Sequence, residues 1–333
     1  MNFGWRVQNA IARAGLSLLK ASGAYDGYWR HWRGELFDAA ERRGFHVIPA
    51  HYYSPVPKVS ALHPSVWPKR DSVPGVDLAI PSALQLLQSL AGDFGEEFAL
   101  FPAEPLADRR RFTLANIGYG PGDAELYYAM LRRFKPARVI EIGCGNSTQV
   151  ASLALRKNRE EHPRRNFEYV CVEPYLPDYL RPAPDGVTEV IETGVQATPL
   201  ELFSRLESGD FLFIDSTHVA ALGSDVLFEY LEILPRLKPG VIIHIHDIFL
   251  PLEYPERWAR EQRFFWNEQY LLQAFLLHNE AYEVILPSHA LYALHPDQMT
   301  AAIASLDPAR GYQRAGPSSF WMRKKAQAPV YSQ

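Results

Sequence analysis

From about residue 120 onward the apolar positions switch repeatedly between two spacings, and the switching predicts a strand–helix succession. Residues 122–134 carry apolar side chains at helical intervals, and Lys135-Pro136 stops that helix. Residues 138–145 read as a strand running into a glycine turn, and 147–158 continue as a helix. Further strands are expected at 167–174, 187–194, 211–218 and 240–249, with helices over 199–209 and 224–237 between the last three. A long aromatic-rich helix over 263–280 and two closing strands, 281–291 and 318–324, complete the pattern. This order argues for an α/β, Rossmann-like parallel sheet with helices on both faces and ligands beyond the carboxyl ends of its strands.

Upstream of that region the periodicity breaks up. Prolines are dense from Pro49 to Pro105, and helical spacing survives only as patches near 5–20, 28–43 and 81–92. Residues 1–115 therefore read as an N-terminal helical, loop-rich accessory region, and 116–333 as the α/β domain.

Composition narrows the function class. The chain has 333 residues, 47% hydrophobic and 22% charged, with 34 basic against 38 acidic side chains and a net charge of −4. That balance carries no nucleic-acid footprint. No apolar run reaches the roughly 18–20 residues of a membrane span, and Arg6, Arg13 and Lys20 interrupt the N-terminus as they would a short amphipathic helix rather than a signal peptide. Only two cysteines occur, Cys144 and Cys171, both in or beside expected core strands, which suits a reduced, cytoplasmic protein. The expected partner is a small-molecule substrate, with homo-oligomer formation left open.

The candidate chemistry sits at the strand ends. In EIGCGNST (141–148) the glycines fall where a strand turns into a helix, so backbone can approach a ligand and offer helix N-terminal N–H groups. Thr148 replaces the last glycine of a dinucleotide fingerprint, which counts against a nicotinamide dehydrogenase. The next strand ends in Glu173, placed to accept both hydroxyls of a ribose. The segment GVIIHIHDIF (240–249) is a buried-strand sequence broken by His244, His246 and Asp247. His244 lies one pleat deeper than His246 and reads as a hydrogen-bonded core histidine, while His278 and His295 read as surface residues.

The segment 141–148 resembles the first motif of class I S-adenosylmethionine-dependent methyltransferases. By that resemblance Glu173 falls at the ribose-binding acid, Gly194-Val195-Gln196 at the adenine-holding turn and Asp215 at the acidic tip of the fourth strand. FIDSTH, HIHDIF, RFFWNEQYLLQAF and the upstream GFHVIPAHYYSP look like a bacterial methyltransferase-like branch. The resemblance implies seven strands, the last antiparallel, and S-adenosylmethionine held by Glu141, Gly143, Gly145, Asn146, Ser147, Glu173, Gln196 and Asp215.

It also directs attention to a metal. In catechol-type O-methyltransferases, acids at the fourth and fifth strand tips hold a divalent cation, and a lysine three residues after the first acts as base. On this chain Asp215 matches the first acid, His246-Asp247 occupy the second position, and His218 replaces the lysine. Two arrangements stay open. Asp215, His246 and Asp247 hold Mg, Mn, Fe or Zn, the histidine favouring the softer ions; or no metal binds, and His218 and His246 with Asp215 serve as base and orienters, the imidazole having its ordinary pKa near 6.5.

The leading expectation is O-methylation of a small-molecule hydroxyl. The competing readings are a hydroxylase using His218, His246 and Asp215 or Asp247 as a two-His-one-carboxylate iron site, and a non-catalytic cofactor-binding scaffold. His46, His51, Tyr52 and Tyr53 upstream, and Trp266, Glu268 and Tyr270 downstream, are aromatic and polar candidates for covering the acceptor.

Overall fold

A computed structural model describes residues 3–21, 35–48, 50–116, 118–311 and 316–326. The chain divides into two compact units, residues 1–66 and 67–333. The first holds helix α1 (Phe3–Ala21), helix α2 (Glu35–Glu41) and two short turns. The expected helix at 28–43 is seen only over α2, its earlier part lying outside the described residues. Within this unit His46 stacks on Phe37, and the rings of His51, Tyr52 and Tyr53 pack on one another.

The second unit is built on seven strands: β1 (Arg138–Ile142), β2 (Glu168–Val172), β3 (Glu189–Ile191), β4 (Phe211–Ile214), β5 (Ile242–Ile245), β6 (Tyr282–Pro287) and β7 (Phe320–Lys324). Their order is β3-β2-β1-β4-β5-β7-β6, and β7 runs antiparallel to both neighbours while the other pairs are parallel. The order reverses between β1 and β4, where a ligand crevice is expected in such a sheet.

Strand alternation divides the core in two. Val139, Tyr169, Phe211, Phe213 and Trp321 face one apolar layer, and Ile140, Ile142, Val170, Leu212, Ile243 and Ile245 face the other. The first layer packs against α3 (Ile80–Phe94), α4 (Asp123–Phe134) and α5 (Asn146–Glu161). Ala83, Leu87 and Leu90 of α3, with Phe101, Phe112 and Leu114, belong to this layer. The core of the second unit thus recruits chain upstream of the expected boundary at 115/116, through one face of the expected helical patch near 81–92 and through single apolar residues such as Phe101, Phe112 and Leu114 between turns.

Other departures are local. The stretch 281–291 is strand only to Pro287, and Ser288–Leu294 turn into a helix. The aromatic helix begins at Glu268, not 263, and spans Glu268–Leu276, because Arg263 takes a left-handed backbone (φ 63°) that breaks the run. A further helix, Pro296–Ala302, was not expected from the pattern.

Candidate active site

Gly143 ends β1 with φ +84°, and a Cβ added to it would lie 1.8 Å from the carbonyl oxygen of Asp215. The turn therefore packs backbone on backbone against the end of β4, which only glycine allows. Its N–H donates to Val172 O, and Asp215 N–H donates to Ile142 O, so three strand tips are locked together. Thr148 Oγ1 accepts from Gly145 N–H at 3.0 Å and caps the start of α5.

Glu141 supports this turn from beneath. It is fully buried, receives hydrogen bonds from Ser147 (2.6 Å) and Thr148 (3.0 Å), and is bonded by the Tyr169 hydroxyl. The expectation that Glu141 touches the cofactor gives way to a bracing role, because no face of its carboxyl reaches the cleft. Burial pushes its pKa up to about 8, against the two hydroxyls that favour the charged form. The folded protein then keeps a proton that the unfolded chain releases near 4.5. Stability is expected to fall as pH rises from about 5 to 8, by up to about 1.4 kcal/mol per pH unit. Glu141→Gln should flatten that dependence in denaturant melts; equal slopes for the two proteins would count against it.

Glu173, at the tip of β2, accepts from Cys144 N–H (3.1 Å) and Tyr175 N–H (2.7 Å), which aims its carboxylate across the turn with lone pairs to spare. A cleft of about 230 Å³ opens here, lined by Gly143, Gly145, Asn146, Ser147, Glu173 and Asp215 among others. Gln196 lies outside that lining; it is exposed and donates to Gly223 O. Gly118 and Tyr119, which the sequence reading missed, also line the cleft. Asn116 Oδ1 accepts from Asn146 Nδ2 at 3.1 Å and from Gly118 N–H and Tyr119 N–H, which ties them to the glycine turn.

Beside the cleft, the ends of β4 and β5 bring the predicted polar groups together. One donor atom each from Asp215, His246 and Asp247 lies within 4.8 Å of the others. His246 Nδ1 is 3.4 Å from Asp215 Oδ1 and 3.7 Å from Asp247 Oδ2, yet it is buried without a hydrogen-bond partner. Its other nitrogen, Nε2, is 3.4 Å from Asp123 Oδ2, and Asp123 is itself fixed by the Ser318 and Ser319 N–H groups. A carboxylate behind an imidazole, with the free nitrogen turned to two further carboxylates, is the arrangement of a metal-ligating histidine. The residues fit a divalent cation.

His218 is buried with φ 61°, its Nδ1–H donating to Glu268 Oε2 (2.8 Å) and its Nε2 3.3 Å from Asp215 and 3.6 Å from Asp247. Burial works against its protonation, but Asp215, Glu268 and Asp247 outweigh that and raise its pKa well above the ordinary value. The expected ordinary imidazole pKa is thus corrected. His246 is raised likewise, burial again being overcome by Asp215, Asp247 and Asp123. Burial opposes ionisation of Asp215, yet His246 and His218 hold its carboxyl well below the usual range. Four carboxyl groups here surround two imidazoles. The grouped ligands are one imidazole and two carboxylates, so the set expected for a two-His-one-carboxylate site is not the one that converges among the described residues.

His244 is buried as expected, but only its Nε2 has a hydrogen-bond partner; Nδ1 has none among the described residues. It stacks on Phe213 (4.1 Å, 4°), meets the Trp321 ring edge-on and lies 3.4 Å from the Tyr119 hydroxyl. Burial, then the charge of His246, holds its pKa well below the usual value. Asp123 and Ser318 had no signal in the sequence beyond a helix-start acid and a strand-start serine; the fold alone brings Asp123 to His246 and Ser318 to Asp123 and Asp247.

Residues 140–248 match the model of a family described as a methyltransferase domain. That match runs from within β1 past the end of β5 and includes the glycine turn, and the seven-stranded sheet is of the methyltransferase-like α/β type. It is 29% identical over 187 residues to an uncharacterized protein of Archaeoglobus fulgidus, spanning 53% of this chain and 80% of that one. Among solved structures it is similar to an apo form of CmcI-N160 (14% identity, 63% of this chain and 73% of that one, TM-score 0.36). A provisionally assigned methyltransferase of Thermobifida fusca YX is similar at 17% identity over 61% of this chain and 82% of that one, TM-score 0.37. Superpositions this loose carry no argument about the reaction.

Proposed function

We propose that the chain methylates a hydroxyl of a small molecule, with a divalent cation at Asp215, His246 and Asp247. The observation that carries this reading is the buried, unpartnered Nδ1 of His246 facing two carboxylates at the edge of the glycine-turn cleft. When bound, S-adenosylmethionine supplies an electrophilic methyl carbon on a sulfonium. The acceptor oxygen forms the new bond to that carbon as the sulfur–carbon bond breaks, leaving a thioether, and the hydroxyl proton must depart. When bound, the cation acidifies that hydroxyl.

The remaining work falls to the protein. Glu173 holds the ribose hydroxyls, and the turn 143–147 brings backbone to the cofactor. Glu268 fixes His218 so that Nε2 points to Asp215 and Asp247, and the neutral form of this imidazole, populated above its raised pKa, takes up the acceptor's proton at Nε2. The mixed nitrogen and oxygen donors favour Mn, Fe or Zn over Mg on ligand type.

Calorimetry with S-adenosylhomocysteine, followed by titration with Mn2+, tests the reading. Absence of nucleoside binding would sink it, and nucleoside binding without cation binding would remove the metal. Glu173→Ala is expected to weaken S-adenosylhomocysteine by about 100-fold, as loss of charge-assisted hydrogen bonds worth roughly 2–3 kcal/mol implies. Unchanged affinity would exclude Glu173 from the ribose site.

A further inference from the structure

A second pocket, about 460 Å³, opens from the same strand tips and shares Gly118 with the cofactor cleft. Its inner end is acidic, formed by the buried Asp123 and His246 and the half-buried Asp247. Its wall is a chain of rings. Phe249 meets Trp258 edge-on at 5.1 Å, Trp258 meets Trp266 edge-on at 4.9 Å, and Phe264 stacks on Trp266 at 5.1 Å. Trp266 in turn lies 4.4 Å from the His218 ring. Such a wall suits a flat ring system rather than a polar chain.

The solvent side of the wall carries the opposite charge. Arg257 is exposed and lines the pocket, and among the described residues it forms no ion pair or hydrogen bond. The neighbouring arginines are engaged: Arg260 pairs with Glu256 and lies over the Trp67 ring, and Arg263 donates to backbone carbonyls of the same turn. Among the described residues Arg257 is the pocket-lining cation without an ion pair, and Gln262 lines the same pocket as a neutral donor.

We propose that the acceptor is a planar, hydroxylated ring bearing an anionic group, and that Arg257 is the residue that reads that anion. The inference rests on the methyltransferase reading of the site and adds the substrate class and its orientation. The acidic inner end repels the anion and admits the hydroxyl, while the arginine fork receives the carboxylate or phosphate at the mouth. The ring lies between them against Trp258 and Trp266.

The test uses the full chain saturated with S-adenosylhomocysteine and follows tryptophan fluorescence. Matched ligands are catechol, 3,4-dihydroxybenzoate, 4-hydroxyphenyl phosphate, 3,4-dihydroxyphenylethylamine and inorganic phosphate. At least one aromatic anion is expected to bind about tenfold tighter than catechol, the tighter one telling carboxylate from phosphate, and the amine more weakly than either. Arg257→Gln should erase the preference without changing catechol affinity, and Arg257→Lys should restore part of it. Equal affinities across the series, no binding by any aromatic ligand, inorganic phosphate binding as tightly as the aromatic anions, or a preference surviving in Arg257→Gln each overturn the proposal. S-adenosylhomocysteine affinity, measured on the same samples, separates this failure from that of the methyltransferase reading.

Discussion

Asp247→Asn is expected to weaken Mn2+ binding by at least about 100-fold while leaving S-adenosylhomocysteine affinity within about threefold of wild type. Asparagine is the informative choice because Asp247 holds a left-handed backbone (φ 55°), which asparagine tolerates and alanine does not. The Ser318 hydroxyl that donates to Asp247 Oδ1 (3.0 Å) can still donate to the amide oxygen. What disappears is one negative charge beside His246 Nδ1 and His218 Nε2. Methyl transfer to an accepted phenol should fall by roughly 10³-fold, since a cation supplies several kcal/mol of transition-state stabilisation. Asp215 is the less discriminating position, because it also lines the cofactor cleft and its loss would weaken both ligands. Wild-type turnover by Asp247→Asn in chelator-treated buffer would show that the cluster holds no catalytic metal.

The strand tips were legible because their chemistry interrupts an otherwise apolar pattern. Asp215, His246 and Asp247 stand out against FLFI and VIIHI, and parallel-sheet logic alone puts them at one end of the sheet. Period-two spacing likewise assigns His244 to the interior row that contains Glu141, Phe213 and Trp321. Periodicity could not reach contacts that join distant parts of the chain. Asp123 and Ser318 are 195 residues apart, and their hydrogen bonds behind His246 exist only because β7 inserts between β5 and β6. The role of Glu141 was misread for a related reason. An acid before a glycine turn looks the same in sequence whether it faces the ligand or the core, and only its burial with Tyr169 decides. Arg257 was hidden among similar arginines; only the fold shows that it lines the ring-walled pocket while Arg260 is held by Glu256.

The two glycines of the turn should separate folding from cofactor binding. Gly143→Ala places a Cβ 1.8 Å from a backbone oxygen at a residue with φ +84°, so neither a side-chain shift nor a relaxed backbone can absorb it. A loss of about 2–4 kcal/mol in stability is expected, together with at least about 100-fold weaker S-adenosylhomocysteine, because the displaced Asp215 carbonyl carries the β4 tip with it. Gly145 differs physically. Its φ of −174° is extended backbone, and an added Cβ would meet only the Tyr179 hydroxyl at an ordinary 3.6 Å. Gly145→Ala should therefore melt within about 1 kcal/mol of wild type. If S-adenosylhomocysteine lies against the turn as proposed, the same methyl group still intrudes on the ligand and lowers its affinity by tenfold or more, about 1.4 kcal/mol. Measuring both melts and both affinities gives four outcomes, and only one pattern fits: Gly143→Ala impaired in both, Gly145→Ala impaired in binding alone. Normal binding by Gly145→Ala would move the nucleoside off the turn, and a stable, binding-competent Gly143→Ala would mean that the β1 and β4 tips are not clamped as the 1.8 Å approach requires.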